Sequence, residues 1–252
     1  MTKILAITNQ KGGVGKTTTA INMAASLARM RQKVLLVDID PQGNATAGCG
    51  VDRDHQKSTS YDVLLHSAPV SDAIIATDFA FDVIASNRNL SGALIELVDE
   101  EHREFRMREA LQTVRGEYDY ILIDCPPSLD LLTVNALVSA DAVIIPMQCE
   151  YFALEGLTEL VNTIRKMRGA FNPGLSIEGL LRTMYDHRNS LAREVSSQLE
   201  KHFGNKVYHT IIPRNIRLAE APSYGKPVIE YDRNSKGARA YLALAGEVLG
   251  RE

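Results

Sequence analysis

The feature that most restricts the fold is a glycine-rich box, KGGVGKTT, between a short apolar run and a helical pattern. The apolar run covers residues 4–8, the box covers residues 11–18, and the helical pattern covers residues 17–30. A box of this composition needs a strand before it and a helix after it. The chain is therefore predicted to begin with a strand–loop–helix unit.

Short apolar runs continue to alternate with helical patterns along the chain. The predicted strands are residues 4–8, 33–38, 81–85, 120–124, 142–147, 177–184 and 207–211, and the clearest helices are residues 17–30, 154–167, 191–203 and 236–249. Most of these runs are continuously apolar, which is typical of strands covered on both faces. The alternation predicts right-handed βαβ units and an α/β fold with a doubly wound, mostly parallel sheet. Residues 48–54 are predicted to form a loop.

Composition excludes several classes of protein. With 252 residues, of which 45% are hydrophobic, one domain covering residues 1–252 is expected. The net charge of −3 excludes a uniformly basic nucleic-acid binder but allows a local basic patch. No apolar run approaches the length of about 20 residues that a membrane helix needs, and Cys49, Cys125 and Cys149 lack the spacing of a zinc site or disulfide framework. A cytoplasmic protein is expected.

The box itself predicts a phosphate site. Its glycines let backbone N–H groups approach phosphate oxygens, and the following helix adds the positive end of its dipole. Lys16 is predicted to contact the β- and γ-phosphates, and Thr17 to bind Mg²⁺. The candidate nucleotide-binding residues are Lys11, Gly12, Gly13, Val14, Gly15, Lys16, Thr17 and Thr18. The alternative is a glycine turn with solvated lysines.

Two acidic residues follow the second predicted strand. Asp38 and Asp40 precede Pro41, which ends the strand, so both lie at the carboxyl edge of the sheet, where ligands bind in such folds. Asp40 is predicted to orient the attacking water. Asp38 is predicted to support either Mg²⁺ or the geometry of the loop. A purely structural role, capping the turn at Pro41, remains an alternative for both.

A third carboxylate ends the apolar run ILID. Asp124 is the last residue of this run, and a parallel strand would bring it beside the glycine-rich box. It is predicted to lie near Mg²⁺ and to act on the ion through water.

The glycine-rich box departs from the usual pattern in a way that carries a resemblance. The usual pattern has glycine where this chain has Gln10, and a second lysine, Lys11, opens the loop. KGGVGKTT resembles the deviant Walker A box of the ParA/MinD family of ATPases. VDIDPQGNAT resembles the family's switch I, and DCPPSLDLLTVNAL its Walker B and switch II.

Later segments of the chain resemble one subgroup of that family. RTMYDHRNSL and IPRNIRLAEAPSYGKPVIEYD resemble ParA/Soj-type chromosome partition ATPases. The resemblance implies that Lys11 reaches a partner's nucleotide across a dimer, and that Pro213 and Asn215 lie near the adenine. A proline turn capped by asparagine is the alternative for that pair. Because the first strand begins at residue 4, no N-terminal helix-turn-helix domain is expected.

Residues 182–239 form a basic segment in an acidic chain. Eleven lysines and arginines face six acids there, a net charge of +5, which leaves −8 for the remainder. Such a segment is able to hold a DNA backbone without reading bases. By resemblance, Arg188 and Arg217 match DNA-binding positions of Soj-type proteins, and Lys226, Arg233 and Lys236 are weaker candidates. The alternative is that these residues form surface salt bridges.

The resemblance implies a partition ATPase that uses ATP and Mg²⁺ and turns over slowly without its partner. Its expected partners are a second copy of itself, nonspecific double-stranded DNA and a ParB-type centromere-binding protein, with the protein associated with the nucleoid. A MinD-like membrane ATPase is the first alternative, but residues 243–252 contain two acids and one base, which suits an anionic surface poorly. An iron–sulfur protein like nitrogenase reductase and a nucleotide-gated scaffold are the others.

Overall fold

The computed structural model describes residues 2–65 and 67–251, and a single sheet runs through them. Its strands are β1 Lys3–Ile7, β2 Val34–Asp38, β3 Ile74–Ala76, β4 Asp82–Ile84, β5 Tyr120–Asp124, β6 Ala142–Gln148, β7 Ser176–Tyr185 and β8 Val207–Pro213. They lie in the order β3-β4-β2-β5-β1-β6-β7-β8. Every neighbouring pair is parallel except β3 and β4, which are antiparallel. Met1, His66 and Glu252, which the predicted domain 1–252 includes, lie outside the described residues.

Helices connect the strands. They are α1 Lys16–Arg29, α2 Asn44–Gly48, α3 Ser60–Leu64, α4 Val70–Ala73, α5 Leu90–Glu96, α6 Arg106–Gln112, α7 Leu131–Ser139, α8 Ala153–Ala170, α9 Ser190–Phe203, α10 Ile216–Glu220, α11 Val228–Tyr231 and α12 Lys236–Leu249. Short 3₁₀ turns cover Gly204–Lys206 and Ala221–Tyr224. In the described chain, no helix is both long and apolar enough to cross a membrane.

The sheet is covered on both faces because its central strands are apolar on both sides. In β1, Ile4 and Ala6 belong to one hydrophobic cluster, whereas Leu5 and Ile7 belong to another. The strands β2 and β5 divide in the same alternating way. Side chains alternate between the faces of a strand, so each face has its own core. The predicted doubly wound, mostly parallel α/β fold is confirmed.

The strongest sequence patterns predict the elements well, and the weakest do not. Helix α12 has the predicted bounds, and it packs its buried face, which includes Ala238, Tyr241 and Leu244, against α1 and β8. Strand β3 was not predicted, because its apolar run is very short: Ile74–Ala76 has only three residues and follows directly on α4. The predicted loop at residues 48–54 needs a small correction, since Gly48 is the last residue of α2.

The register of the parallel strands gathers their carboxyl ends at one edge of the sheet. Asp124 at the end of β5 is paired with Ile7 of β1 on one side and Asp38 of β2 on the other. Farther along the edge, Tyr185 of β7 is paired with Pro213 of β8. The strand-end candidates Asp38 and Asp124 therefore lie side by side at this edge.

Candidate active site

The glycine-rich loop follows β1 and leads directly into α1. Gly13 and Gly15 have φ angles of +72° and +87°, in the left-handed region that a side chain would strain. Helix α1 begins at Lys16 with no side-chain cap among the described residues, so its first N–H groups remain available to an anion. The loop borders an open cavity of about 400 Å³, lined by Gly12, Gly13, Gly15, Lys16, Thr17, Thr18, Asp40, Gln42, Asn44, Pro127 and Met184.

The two lysines of the loop have different surroundings. Lys16 is buried, lines the cavity, and donates from Nζ to the backbone oxygen of Lys11 at 3.2 Å. Burial lowers the pKa of Lys16, and the negative charges of Asp124 and Asp40 oppose that effect. The Lys11 side chain is half exposed, is absent from the cavity lining, and pairs with Glu150 at 2.5 Å. The structure thus places one predicted phosphate lysine in its own site and the other at the rim.

Asp38 is completely buried, and hydrogen bonds engage both of its oxygens. Oδ1 accepts from the backbone N–H of Asp40 at 3.1 Å, and Oδ2 accepts from the N–H and the hydroxyl of Thr46, each at 2.8 Å. Burial raises the pKa of Asp38 to about 6, and these hydrogen bonds oppose the rise. Because its oxygens are already engaged, the geometry favours the loop-supporting role over direct metal binding.

Asp40 lies between the loop and α2, where it lines the phosphate cavity. Only 8% of the residue is exposed. Its Oδ1 accepts from the N–H of Gln42 at 2.9 Å, and the hydroxyl of Ser86 donates to its backbone oxygen at 2.8 Å. These contacts hold both the side chain and the backbone of Asp40, and among the described residues the hydrogen bond to the carboxylate is made at Oδ1.

The surroundings of Asp124 show whether the site can hold a metal ion. It is completely buried, and neither carboxylate oxygen accepts a hydrogen bond of ordinary geometry from the described residues. Burial raises its pKa well above the usual range, the charge of Asp38 adds to the rise, and the Thr17 side chain opposes it. Buried carboxylates without partners are rare unless something binds them. A carboxylate and a hydroxyl beside a phosphate loop suit Mg²⁺, which prefers oxygen ligands and keeps several waters.

A second cavity opens on the other side of the loop. It measures about 190 Å³ and is lined in part by Pro213 and Asn215, together with Gly15, Thr18 and Met184, which also border the phosphate cavity. Asn215 also caps α10, because its Oδ1 accepts from the N–H of Arg217 at 3.1 Å. The adenine role and the capping role, which the sequence left as alternatives, are therefore geometrically compatible.

The candidate DNA-binding residues lie on the surface beyond β7 and β8. Arg188 follows β7 and Arg217 lies in α10, just after β8, and both side chains are engaged in ion pairs. Arg188 pairs with Asp186 at 2.8 Å, and Arg217 pairs with Glu220 at 2.8 Å and with Asp232 at 3.3 Å. The weaker candidates Lys226, Arg233 and Lys236 are exposed in and around the turns that flank α11.

One basic residue of the segment 182–239 is buried and does not contribute to the charge of the surface. Arg182 is only 4% exposed and bonds Ser196, Glu200 and the backbone oxygen of Tyr208. Its role is to join β7, α9 and β8. The sequence of β7 gives no warning of this, because five successive residues of that strand, 179–183, are buried and do not alternate.

Sequence reasoning missed the residues that hold the loops in place. Thr46 and Ser86 fix Asp38 and Asp40, while Gln148 and Thr183 contact the glycine-rich loop from β6 and β7. Thr46 lies in the same segment, VDIDPQGNAT, as the Asp38 that it holds, whereas Ser86, Gln148 and Thr183 are distant in sequence from the groups that they hold. The one available signal was position, since Gln148 and Thr183 stand at the carboxyl ends of predicted strands.

Comparisons with known proteins agree with this geometry. Residues 2–177 match the family model AAA_31, described as an AAA domain. The chain is 54% identical to the chromosome partitioning protein ParA of Caulobacter vibrioides, over 99% of this chain and 95% of that protein. It is 55% identical to the sporulation initiation inhibitor protein Soj of Bacillus subtilis, over 98% of both chains.

Solved structures show the same fold. The chain resembles a cobyrinic acid a,c-diamide synthase from Mycobacterium smegmatis with bound ADP and magnesium, with a TM-score of 0.87, 37% identity, and coverage of 99% of this chain and 94% of that one. It also resembles the cell division ATPase MinD of Pyrococcus furiosus, with a TM-score of 0.81, 29% identity and complete coverage of both. Proteins with different names share the fold, so the site and the higher identities must identify the family.

Proposed function

The chain belongs to the ParA/Soj family of chromosome partition ATPases, and on that premise we propose that ATP binding joins two copies into a dimer that holds DNA. The ATPase itself uses ATP and Mg²⁺. In the proposed cycle, the ATP-bound dimer binds nonspecific duplex DNA, and hydrolysis, stimulated by a ParB-type partner, returns the monomer. ATP then acts as a ligand that favours one association state, and hydrolysis removes that preference.

The position of Lys11 carries the proposal. The loop has a lysine in the phosphate cavity, Lys16, and a second lysine whose side chain pairs with Glu150 at the rim. A cation at the rim has no phosphate in its own site to neutralise, but it can reach one presented by a second copy. There it would stabilise charge that develops during phosphoryl transfer, as an arginine finger does.

The remaining groups divide the work of phosphoryl transfer. Lys16, with the N–H groups at the start of α1, would hold the β- and γ-phosphates. Asp40, held by Gln42 and Ser86, would orient the attacking water. Thr17 and Asp124 would hold Mg²⁺, directly and through water. The bound ion would supply positive charge that neutralises the phosphates.

DNA binding is proposed for the outer end of the sheet edge. Arg188 and Arg217 follow β7 and β8, whose ends are paired at Tyr185 and Pro213, so both leave the sheet close together. Their ion pairs with carboxylates are exposed, so a phosphate would share or replace the carboxylate partner. A dimer doubles the number of contacts, so weak binding by the monomer becomes stronger binding by the dimer.

The experiment that tests the cycle measures binding to duplex DNA with ATP, with ADP and without nucleotide, at several salt concentrations. We expect tight DNA binding with ATP only. The logarithm of the affinity should fall linearly with the logarithm of the salt concentration. Two DNA sequences of equal length should bind alike. Equal binding in all three nucleotide states would refute the proposed switch.

A further inference from the structure

Three backbone carbonyl groups of the glycine-rich loop accept hydrogen bonds from side chains. Lys16 donates to the Lys11 oxygen at 3.2 Å, Gln148 donates from Nε2 to the Gly13 oxygen at 2.9 Å, and Thr183 donates from its hydroxyl to the Val14 oxygen at 2.7 Å. The first contact comes from the loop's own lysine. The other two come from the ends of β6 and β7, far away in the sequence.

These contacts fix the direction of individual N–H groups. A peptide unit is planar and trans, so its C=O and its N–H point in opposite directions. The Gly13 oxygen shares a peptide unit with the N–H of Val14, and the Val14 oxygen shares one with the N–H of Gly15. A donor that holds the oxygen on one side therefore holds the N–H toward the other.

Thr183 is well placed to hold its peptide unit rigidly. The residue is 2% exposed, and its hydrogen bond to Val14 is completely buried. Its side chain also lies against the loop, since a Cβ atom built on Gly15 would be 3.8 Å from it. No water competes easily for a carbonyl group in such a place, so the hydroxyl is the partner on which Val14 depends.

Gln148 holds the neighbouring peptide unit more loosely. Its amide group is partly accessible, and it also donates to the sulfur of Met184 at 3.0 Å. Met184 has a φ angle of +49°, an unusual value for a residue with a side chain, and it borders both cavities. The amide therefore contacts both the loop and a residue that lines the two cavities.

We propose that Thr183 and Gln148 are positioning residues for the nucleotide: they hold two loop carbonyls so that the N–H groups of Gly15 and Val14 face the phosphates. The inference rests on the proposed nucleotide site and extends it to β6 and β7. Without the hydroxyl, the Val14 oxygen turns toward another partner and the adjoining N–H turns away from the cavity. The nucleotide then has to reverse that change, and its affinity falls.

The test replaces Thr183 with valine, which has nearly the same shape but no donor, and with serine, which keeps the hydroxyl. Binding of ATP and of ADP is measured by calorimetry with the full chain. We expect Thr183→Val to weaken both by about tenfold, because one buried hydrogen bond and its unpaired acceptor are involved. Thr183→Ser should bind both nucleotides nearly as the parent does.

A matched control separates positioning from general stability. Thr77 also donates its hydroxyl to a backbone oxygen, that of Phe81 at 2.6 Å, but in the turn between β3 and β4. Thr77→Val should lower the thermal unfolding midpoint while leaving nucleotide affinity unchanged. Gln148→Met, which keeps the length but not the donor, should weaken binding less than Thr183→Val because water replaces its contact more easily.

The outcomes are distinct. If Thr183→Val lowers the unfolding midpoint but binds ATP and ADP as the parent does, the residue is only structural and the inference is wrong. If turnover falls while affinity is unchanged, Thr183 acts on the chemical step and the inference is equally wrong. If the parent chain itself binds no ATP, the proposed function fails rather than this extension of it.

Discussion

Two regions of the same sheet edge differ in how far their charged side chains are exposed to water. At the ends of β1, β2 and β5, the charged groups Lys16, Asp38, Asp40 and Asp124 are all less than 10% exposed. At the ends of β7 and β8, the side chains of Arg188 and Arg217 are 90% and 46% exposed. In the inner region, at the ends of β1, β2 and β5, the charged groups are buried away from water. In the outer region, at the ends of β7 and β8, they are exposed to water.

This difference in exposure predicts how each region responds to amino-acid substitutions. A buried charge depends on specific partners, so removing one partner has a large effect. Exposed ion pairs are screened by water and salt, and each contributes little. The inner region should therefore show large effects from single substitutions, whereas the outer region should act only through the sum of many contacts.

The largest effect is expected for Asp40→Ala. Loss of the group that orients water should slow ATP turnover by about a thousandfold while nucleotide affinity stays near that of the parent. Phosphate release and calorimetry measure the two quantities. Asp78→Ala, at an exposed turn between β3 and β4, is the control and should behave as the parent. Turnover at the parental rate in the Asp40 variant would remove Asp40 from the mechanism.

Lys16→Ala should weaken ATP binding by about a hundredfold, because a buried cation that faces the phosphates is lost. Lys11→Ala is a close control: it changes the same residue type in the same loop but outside the phosphate cavity, and should leave monomer affinity nearly unchanged. Calorimetry with ATP measures both variants. Equal losses in the two would contradict the distinction between a buried and a rim lysine.

A smaller effect separates Asp124 from Asp38. Asp124→Asn should raise the Mg²⁺ concentration needed for half-maximal turnover by about tenfold, since the negative charge of a buried carboxylate beside the phosphate loop is removed. Asp38→Asn should leave that concentration unchanged and lower the thermal unfolding midpoint, because Asp38 is engaged with Thr46 and Asp40. A Mg²⁺ titration in which both variants shift alike would show that Asp38 also acts on the metal.

The smallest single effects belong to the outer region. Arg188→Glu and Arg217→Glu should each reduce the log–log salt slope of DNA binding by about 0.9 for each copy in the dimer. Arg165→Glu in α8 makes the same charge change at an exposed position outside the basic segment, and it should leave the slope alone. Circular dichroism first confirms that the variants are folded. Unchanged affinity and slope in both would place the DNA elsewhere.

Features that follow from local sequence patterns could be predicted, whereas contacts between residues distant in sequence could not. The buried strands and the loop between β1 and α1 follow from local patterns, so the fold and the positions of Lys16, Asp40 and Asp124 were accessible. The contacts of Thr183 with Val14 and of Gln148 with Gly13 depend on where strand ends and the glycine-rich loop meet in space. No spacing along the chain encodes those meetings.

Charge counting overstated the surface charge of residues 182–239 for a related reason. The basic segment was summed as if every residue lay on the surface, but Arg182 is buried among β7, α9 and β8. Arg188 and Arg217 are also paired with acids that are close in sequence, Asp186 and Glu220. A count of charges cannot distinguish a residue that bonds inside the protein from one that faces a partner.

The central claim is that the rim lysine acts on a second copy of the chain. Analytical ultracentrifugation with Mg²⁺ and a slowly hydrolysed ATP analogue tests it directly on the parent and on Lys11→Ala, with analogue binding measured in parallel. We expect a dimer for the parent and a monomer for Lys11→Ala. We also expect that the variant still binds the analogue. A Lys11→Ala dimer as stable as that of the parent, with full turnover, would contradict it.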